Sequence, residues 1–160
     1  MINSIRLRTV FDCMVFLQGA VRKESPAGIC LSLASDRLIE LFLSDLIVAE
    51  IRNVLLRAPL RSKFPVLTRD FVEEFLAGLQ AIATHIVEVP QIFKYARDPK
   101  DEPYLNLAVA AHVECLVTRD NDLLDLSNPT DADGERLREL NPGLVIVDPV
   151  RFLHKVAGRR

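Results

Sequence analysis

An aspartate stands inside the run Val10-Phe11-Asp12-Cys13-Met14-Val15-Phe16-Leu17, whose other members are almost all apolar. A short continuous apolar run of this kind reads as a strand buried on both faces. A buried, unpaired carboxylate costs several kcal/mol unless a cation or a proton neutralises it. Whatever this chain folds into must therefore bring compensation to Asp12. Three further acids share the difficulty. Glu50 falls on the stripe Ile47, Glu50, Ile51, Val54, spaced i, i+3, i+4, i+7, which is the face a helix packs on a sheet. Asp101 opens a helix whose Leu105 and Ala108 follow at i+4 and i+7, and Asp120 ends the strand-like run from Cys115.

The segments around these acids alternate in type. Arg6 to Leu17 reads as a first strand, with Asp12 in its later part. Ser25-Pro26 caps a helix to about Ala34. Leu38 to Leu43 is a second strand, and Ser44 caps a helix that runs to about Leu56 and stops before Pro59. Thr68 or Asp70 starts a third helix, with Phe71, Phe75, Leu76, Leu79, Ile82 and Ala83 at helical spacing. His85 to Val89 is a short strand. A charged loop from Tyr95 to Pro103 leads into a helix from about Asp101 to His112. Cys115 to Thr118 is strand, Asn121 to Leu126 a short helix, Asn128 to Arg138 a polar surface excursion, Leu144 to Val147 a last strand, and Pro149 to about Val156 a terminal helix. Strands alternating with helices predict a parallel sheet covered on both faces, within a single domain spanning residues 1–160. No stretch approaches the ~18 apolar residues that span a bilayer, and the first residues lack a signal-peptide pattern, so the expectation is a cytoplasmic protein that does not enter a membrane. Cys13, Cys30 and Cys115 are odd in number, sit in apolar segments and fit no zinc spacing.

Taken singly, the acids have ordinary explanations. Asp101 reads equally well as an N-cap, Asp120 with Asn121 and Asp122 as an Asx turn, and Glu50 as a partner for Arg52 or a distant arginine. Asp12 resists such an account. Four acids in apolar settings are more economically one pocket, at the carboxyl ends of parallel strands. Oxygen ligands without His or Cys select Mg²⁺ or Mn²⁺ over zinc, and phosphodiester chemistry is the commonest use of such a site. His85, His112 and His154 are dispersed and are not read as ligands. A net charge of −2 argues against a strongly basic nucleic-acid binder, but Lys and Arg can still gather locally. An aspartyl-nucleophile phosphatase built on Asp12 would want a second acid where Met14 stands.

Four ordered pieces resemble the PIN-domain ribonucleases, in particular the VapC-like toxins of bacterial toxin–antitoxin pairs. They are Val10-Phe11-Asp12-Cys13-Met14-Val15, Leu43-Ser44-Asp45-Leu46-Ile47-Val48-Ala49-Glu50-Ile51, Arg97-Asp98-Pro99-Lys100-Asp101-Glu102-Pro103-Tyr104-Leu105 and Leu116-Val117-Thr118-Arg119-Asp120-Asn121-Asp122-Leu123-Leu124. The resemblance implies a three-layer α/β/α sandwich with a central, mostly parallel sheet and an acidic pocket for Mg²⁺ or Mn²⁺. It implies cleavage of single-stranded RNA by a metal-activated water. Carried over by position, Asp12, Glu50, Asp101 and Asp120 are the catalytic acids and metal ligands, and Asp122 is a fifth ligand. Asp98 and Glu102 are the acids most easily confused with Asp101, and the helical stripe favours Asp101. The resemblance also implies a homodimer and a small cognate antitoxin. Members commonly carry Asn or another small polar residue two positions after the first acid, where this chain has Met14. A domain that binds RNA or protein without cutting is the alternative that this departure raises.

Overall fold

Residues 5–159 are described by the computed structural model. Five parallel strands, β1 (Leu7–Phe11), β2 (Ile39–Leu43), β3 (Thr84–His85), β4 (Cys115–Val117) and β5 (Val145–Val147), form one sheet in the order β3-β2-β1-β4-β5. The central strand β1 is apolar and buried because helices cover both faces of the sheet. Right-handed crossovers put the helices after β1 and β2 on one face: α1 (Cys13–Val21), α2 (Pro26–Ser35), α3 (Asp45–Leu55), α4 (Ala58–Lys63) and α5 (Arg69–Ile82). Winding then reverses, so α6 (Glu102–Ala110), α7 (Asn121–Leu124) and α8 (Ala132–Leu140) belong to the opposite side. The last helix, α9 (Pro149–Ala157), returns to pack on α2. Its Phe152 meets Phe11 edge-on at 5.9 Å, which fixes the end of β1 just before Asp12. The expected three-layer sandwich with a central parallel sheet is the observed architecture. Among the described residues no helix is long and apolar enough to cross a membrane.

Several boundaries differ from expectation, each for a local reason. The first strand does not continue to Leu17. It ends at Phe11, and Asp12, extended at φ −79°, caps α1 by accepting from the Val15 N–H. Both β1 and the buried side of α1 are apolar, so periodicity alone does not separate them. Pro59 is the second residue of α4 as well as following α3, since its missing N–H costs nothing in a first helical turn. The polar segment after Asn128 contains α8, capped by the Asp131 carboxylate at 2.8 Å from the Gly134 N–H. Gly134 is required there, because a Cβ would lie 2.1 Å from the Leu126 carbonyl oxygen. The third strand is two residues long rather than five; the chain soon turns through Glu88, at φ 55°.

The chain between β3 and α6 is irregular, yet it must deliver Asp98 accurately. Asn106, 1% exposed on α6, holds it. Its Oδ1 accepts from the Phe93 N–H at 2.8 Å, and its Nδ2 donates to the Phe93 carbonyl at 3.0 Å and to Gln91 Oε1 at 3.3 Å. The Glu102 carboxylate accepts from the Tyr95 N–H at 2.9 Å. We expect Asn106→Ala to lose about 2–3 kcal/mol in urea denaturation, because buried backbone groups of Phe93 lose their partners. A loss under about 0.5 kcal/mol would show that this segment is held by something else.

Candidate metal centre

The sheet order places a topological switch between β1 and β4, where the winding direction reverses and the carboxyl ends of neighbouring strands leave a crevice. Phe11 is in register with Val117, and the Asp12 N–H donates to the Val117 carbonyl at 3.0 Å. Asp12 and Thr118 are therefore neighbours across the two strand ends. The Thr118 hydroxyl donates to Asp12 Oδ2 and accepts from the Asp120 N–H, the latter at 2.9 Å. Asp12 Oδ1 is occupied by the cap to Val15 at 3.1 Å. Asp120 Oδ1 accepts from the Asp122 N–H at 2.9 Å, so the Asx turn read from the sequence is present. Turn and site are compatible, since a carboxylate has lone pairs for both.

Asp98 caps, and Asp101 ends, the short 3₁₀ turn Pro99–Asp101 that precedes α6. The Asp101 N–H donates to the Asp98 carbonyl at 3.0 Å, closing the turn and bringing the two residues together. Asp98 caps the turn through the Lys100 N–H at 3.2 Å. Asp101 makes no cap bond, so the simple capping explanation does not hold for it. It is 9% exposed, and its Oδ2 is buried without a hydrogen-bond partner. One carboxylate oxygen from each of Asp98, Asp101 and Asp120 lies within 4.8 Å of the others.

Crowding raises the proton affinity of the site. Burial, with the charges of Asp98 and Asp120 next in effect, pushes the Asp101 carboxyl well above the usual carboxylate range. Burial also raises Asp12 from 3.8 to about 6, against the lowering effect of its bonds to Thr118 and Val15. Glu50, half-buried on α3, is raised by burial and eased by Tyr104, Arg57 and Lys100. The Tyr104 hydroxyl is buried without a hydrogen-bond partner, and its surroundings include Cys13, Glu50 and Asp12.

Of the five residues expected from sequence, Asp101 and Asp120 lie in the tight group, and Asp12 adjoins it through Thr118. Glu50 approaches from α3, and Arg52 pairs with Glu73 at 2.7 Å, not with Glu50. The Asp122 carboxylate lies outside the group and pairs with Arg97 at 2.8 Å. Asp98 completes the group in its place. Its signal in the sequence was the Asp-Pro-x-Asp spacing, which fits a 3₁₀ turn. Thr118 was also missed, and a hydroxyl two residues before Asp120 was its signal. An all-oxygen set with a buried, unpartnered carboxylate oxygen fits a hard divalent cation.

A parallel sheet with carboxylates gathered at its switch point defines an acidic α/β domain of the nuclease type. The sequence matches the PIN domain family over residues 8–122, and the chain belongs to that family, whose members are generally nucleases. Among solved structures, it is similar to the crystal structure of PAE2754 from Pyrobaculum aerophilum, with a TM-score of 0.55 and 15% sequence identity over 95% of this chain and 90% of that one. At that identity the likeness concerns the fold. A search of curated proteins found no match.

The raised Asp12 carboxyl has a consequence for stability. The folded protein keeps this proton up to about pH 6, whereas an unfolded chain releases it near 3.8. The folded state therefore binds more protons in that interval and loses stability as pH rises through it, by roughly 3 kcal/mol from Asp12 alone. In EDTA the melting temperature is expected to fall as pH rises from about 4 to 6. Mg²⁺ or Mn²⁺ should restore it, more at pH 7.5 than at pH 5. A melting temperature that is flat with pH in EDTA and indifferent to both ions would contradict this electrostatic account.

Proposed function

We propose that the chain is a Mg²⁺- or Mn²⁺-dependent endoribonuclease that cleaves single-stranded RNA with water as the nucleophile. The observation that carries this reading is Asp101 Oδ2, buried and unpartnered beside Asp98 and Asp120. Asp98, Asp101 and Asp120 would hold the ion, with Asp12 and Glu50 completing the acidic wall. When bound, the ion supplies a Lewis acid that acidifies water and offsets charge on the phosphate. Asp12, raised to about 6, is ionised at neutral pH yet basic enough to accept a proton. In the reaction a water oxygen bonds to phosphorus, the bond to the leaving nucleotide oxygen breaks, and a carboxylate of the wall takes the water's proton. Thr118 holds Asp12 in orientation throughout, and Asp122 steadies the neighbouring turn through Arg97.

The non-cutting alternative rested on Met14, which stands where a polar side chain would steady the first carboxylate. Thr118 supplies that support from β4's end, and Met14 is 45% exposed to one side of the pocket. The substitution therefore leaves Asp12 anchored. The role we assign in the cell, a cytoplasmic toxin acting as a homodimer and restrained by a small antitoxin, is supported by the four resembling motifs.

The test is cleavage of a long single-stranded RNA with Mn²⁺ or Mg²⁺ and with EDTA. Asp101→Asn and Asp120→Asn are each expected to reduce the rate on the order of 100-fold or more, while Asp122→Asn stays within about threefold. Asp101→Asn should also raise the melting temperature in EDTA, because folding no longer has to keep a crowded buried carboxyl protonated. An Asp101→Asn protein that cuts as well as the parent would sink the assignment.

A further inference from the structure

A groove of about 720 Å³ opens between α1, α3 and α4. Three residues of its lining lie close to the acids. Met14 follows Asp12 by two residues, Arg57 caps α4 close enough for its charge to act on Glu50, and Arg119 precedes Asp120. Every ionisable side chain lining it is a cation: Arg22, Arg57, Lys63 and Arg119. Among the described residues none of the four forms an ion pair with a carboxylate. In a chain of net charge −2, four unpaired cations around one apolar trough make a strong local departure from the average. Phe64 is the aromatic of the lining, with the Arg22 guanidinium 5.8 Å and the Lys63 ammonium 5.5 Å from its ring centre.

We infer that this groove binds the single strand of RNA and leads it to the acids, with Arg22 and Lys63 on backbone phosphates and Phe64 against a base. The inference rests on the nuclease reading of the acids and adds the path by which substrate reaches them. Charge complementarity selects a polyanion. An aromatic ring flanked by two cations offers, within one nucleotide's reach, both a stacking surface and phosphate ligands. A duplex keeps its bases stacked inside, so only an unpaired strand can present one to Phe64. An acidic amphipathic peptide would also meet apolar residues and cations. Continuity from Arg22 and Lys63 through Arg57 to the acids favours the substrate, because a strand being cut must occupy both places at once.

The experiment measures fluorescence anisotropy of a labelled 12-nucleotide single-stranded RNA in EDTA, where nothing is cut, alongside Mn²⁺-dependent cleavage of a long RNA. The proteins are the parent, Phe64→Ala, and the double variant Arg22→Glu with Lys63→Glu, whose surface positions spare the fold; circular dichroism melting checks this. We expect the double variant to raise Kd tenfold or more and to reduce the slope of log K against log salt by about 1.4, as for two lost phosphate contacts. Phe64→Ala should weaken binding about tenfold with little change in that slope. A parent that cleaves RNA while both variants bind it normally would overturn the groove and leave the nuclease reading intact. A parent that binds through the groove but never cuts would support the groove and overturn the nuclease reading. Variants that bind RNA normally but lose a co-expressed protein partner would assign the groove to that partner and refute the inference.

Discussion

The Thr118 hydroxyl joins two strand ends separated by more than a hundred residues of sequence. It donates to the Asp12 carboxylate and accepts from the Asp120 backbone, so a single oxygen orders the first acid and the turn that carries the last. This contact depends on β1 and β4 being neighbours, with Phe11 in register with Val117. A one-residue slip would exchange the faces of every side chain on the strand and move Thr118 away. The edge-on contact of Phe152 with Phe11, and the pairing of β5 with β4, hold that register from the other end of the chain.

Around this anchor the molecule separates its charges. Acids converge where β1, β4 and the 3₁₀ turn meet, while unpaired cations line the adjoining groove. The near-neutral total conceals both. Each half is unfavourable without a counterpart: crowded carboxylates hold their protons, and the exposed cations have no carboxylate partner among the described residues. A divalent ion and a polyanion are the two complements we propose for this arrangement. The stability lost to like charges near Asp101 is of the kind functional sites commonly retain.

Much of this was legible from residue order, and the failures have identifiable causes. Caps at Ser25, Ser44 and Thr68 are where the sequence indicated, because capping is a contact between residues two or three apart. The end of β1 was not, because both the strand and the following helix are buried and apolar. The helix α8 was missed because its sequence is polar and its buried residues, Gly134 and Leu137, give no stripe to recognise. Asp12, Glu50, Asp101 and Asp120 stood out as acids in apolar surroundings. Asp98 was set behind Asp101, since it lies ahead of Pro99 in a charged loop and off the helical stripe.

The sequence by itself determined that this chain forms a parallel α/β sheet and that several of its acids fall on buried faces. Periodicity, caps and the order of the motifs are local properties, and they survive without knowledge of contacts. Only the tertiary structure decided which carboxylates meet. That choice depends on strand order and on the 3₁₀ turn, which bring Asp98, Asp101 and Asp120 within 4.8 Å and turn Asp122 toward Arg97. It also revealed Thr118 as the support that Met14 does not provide. The physical reason is that hydrogen bonds and charge coupling act over a few ångströms of space, and the separation of the partners along the chain does not enter.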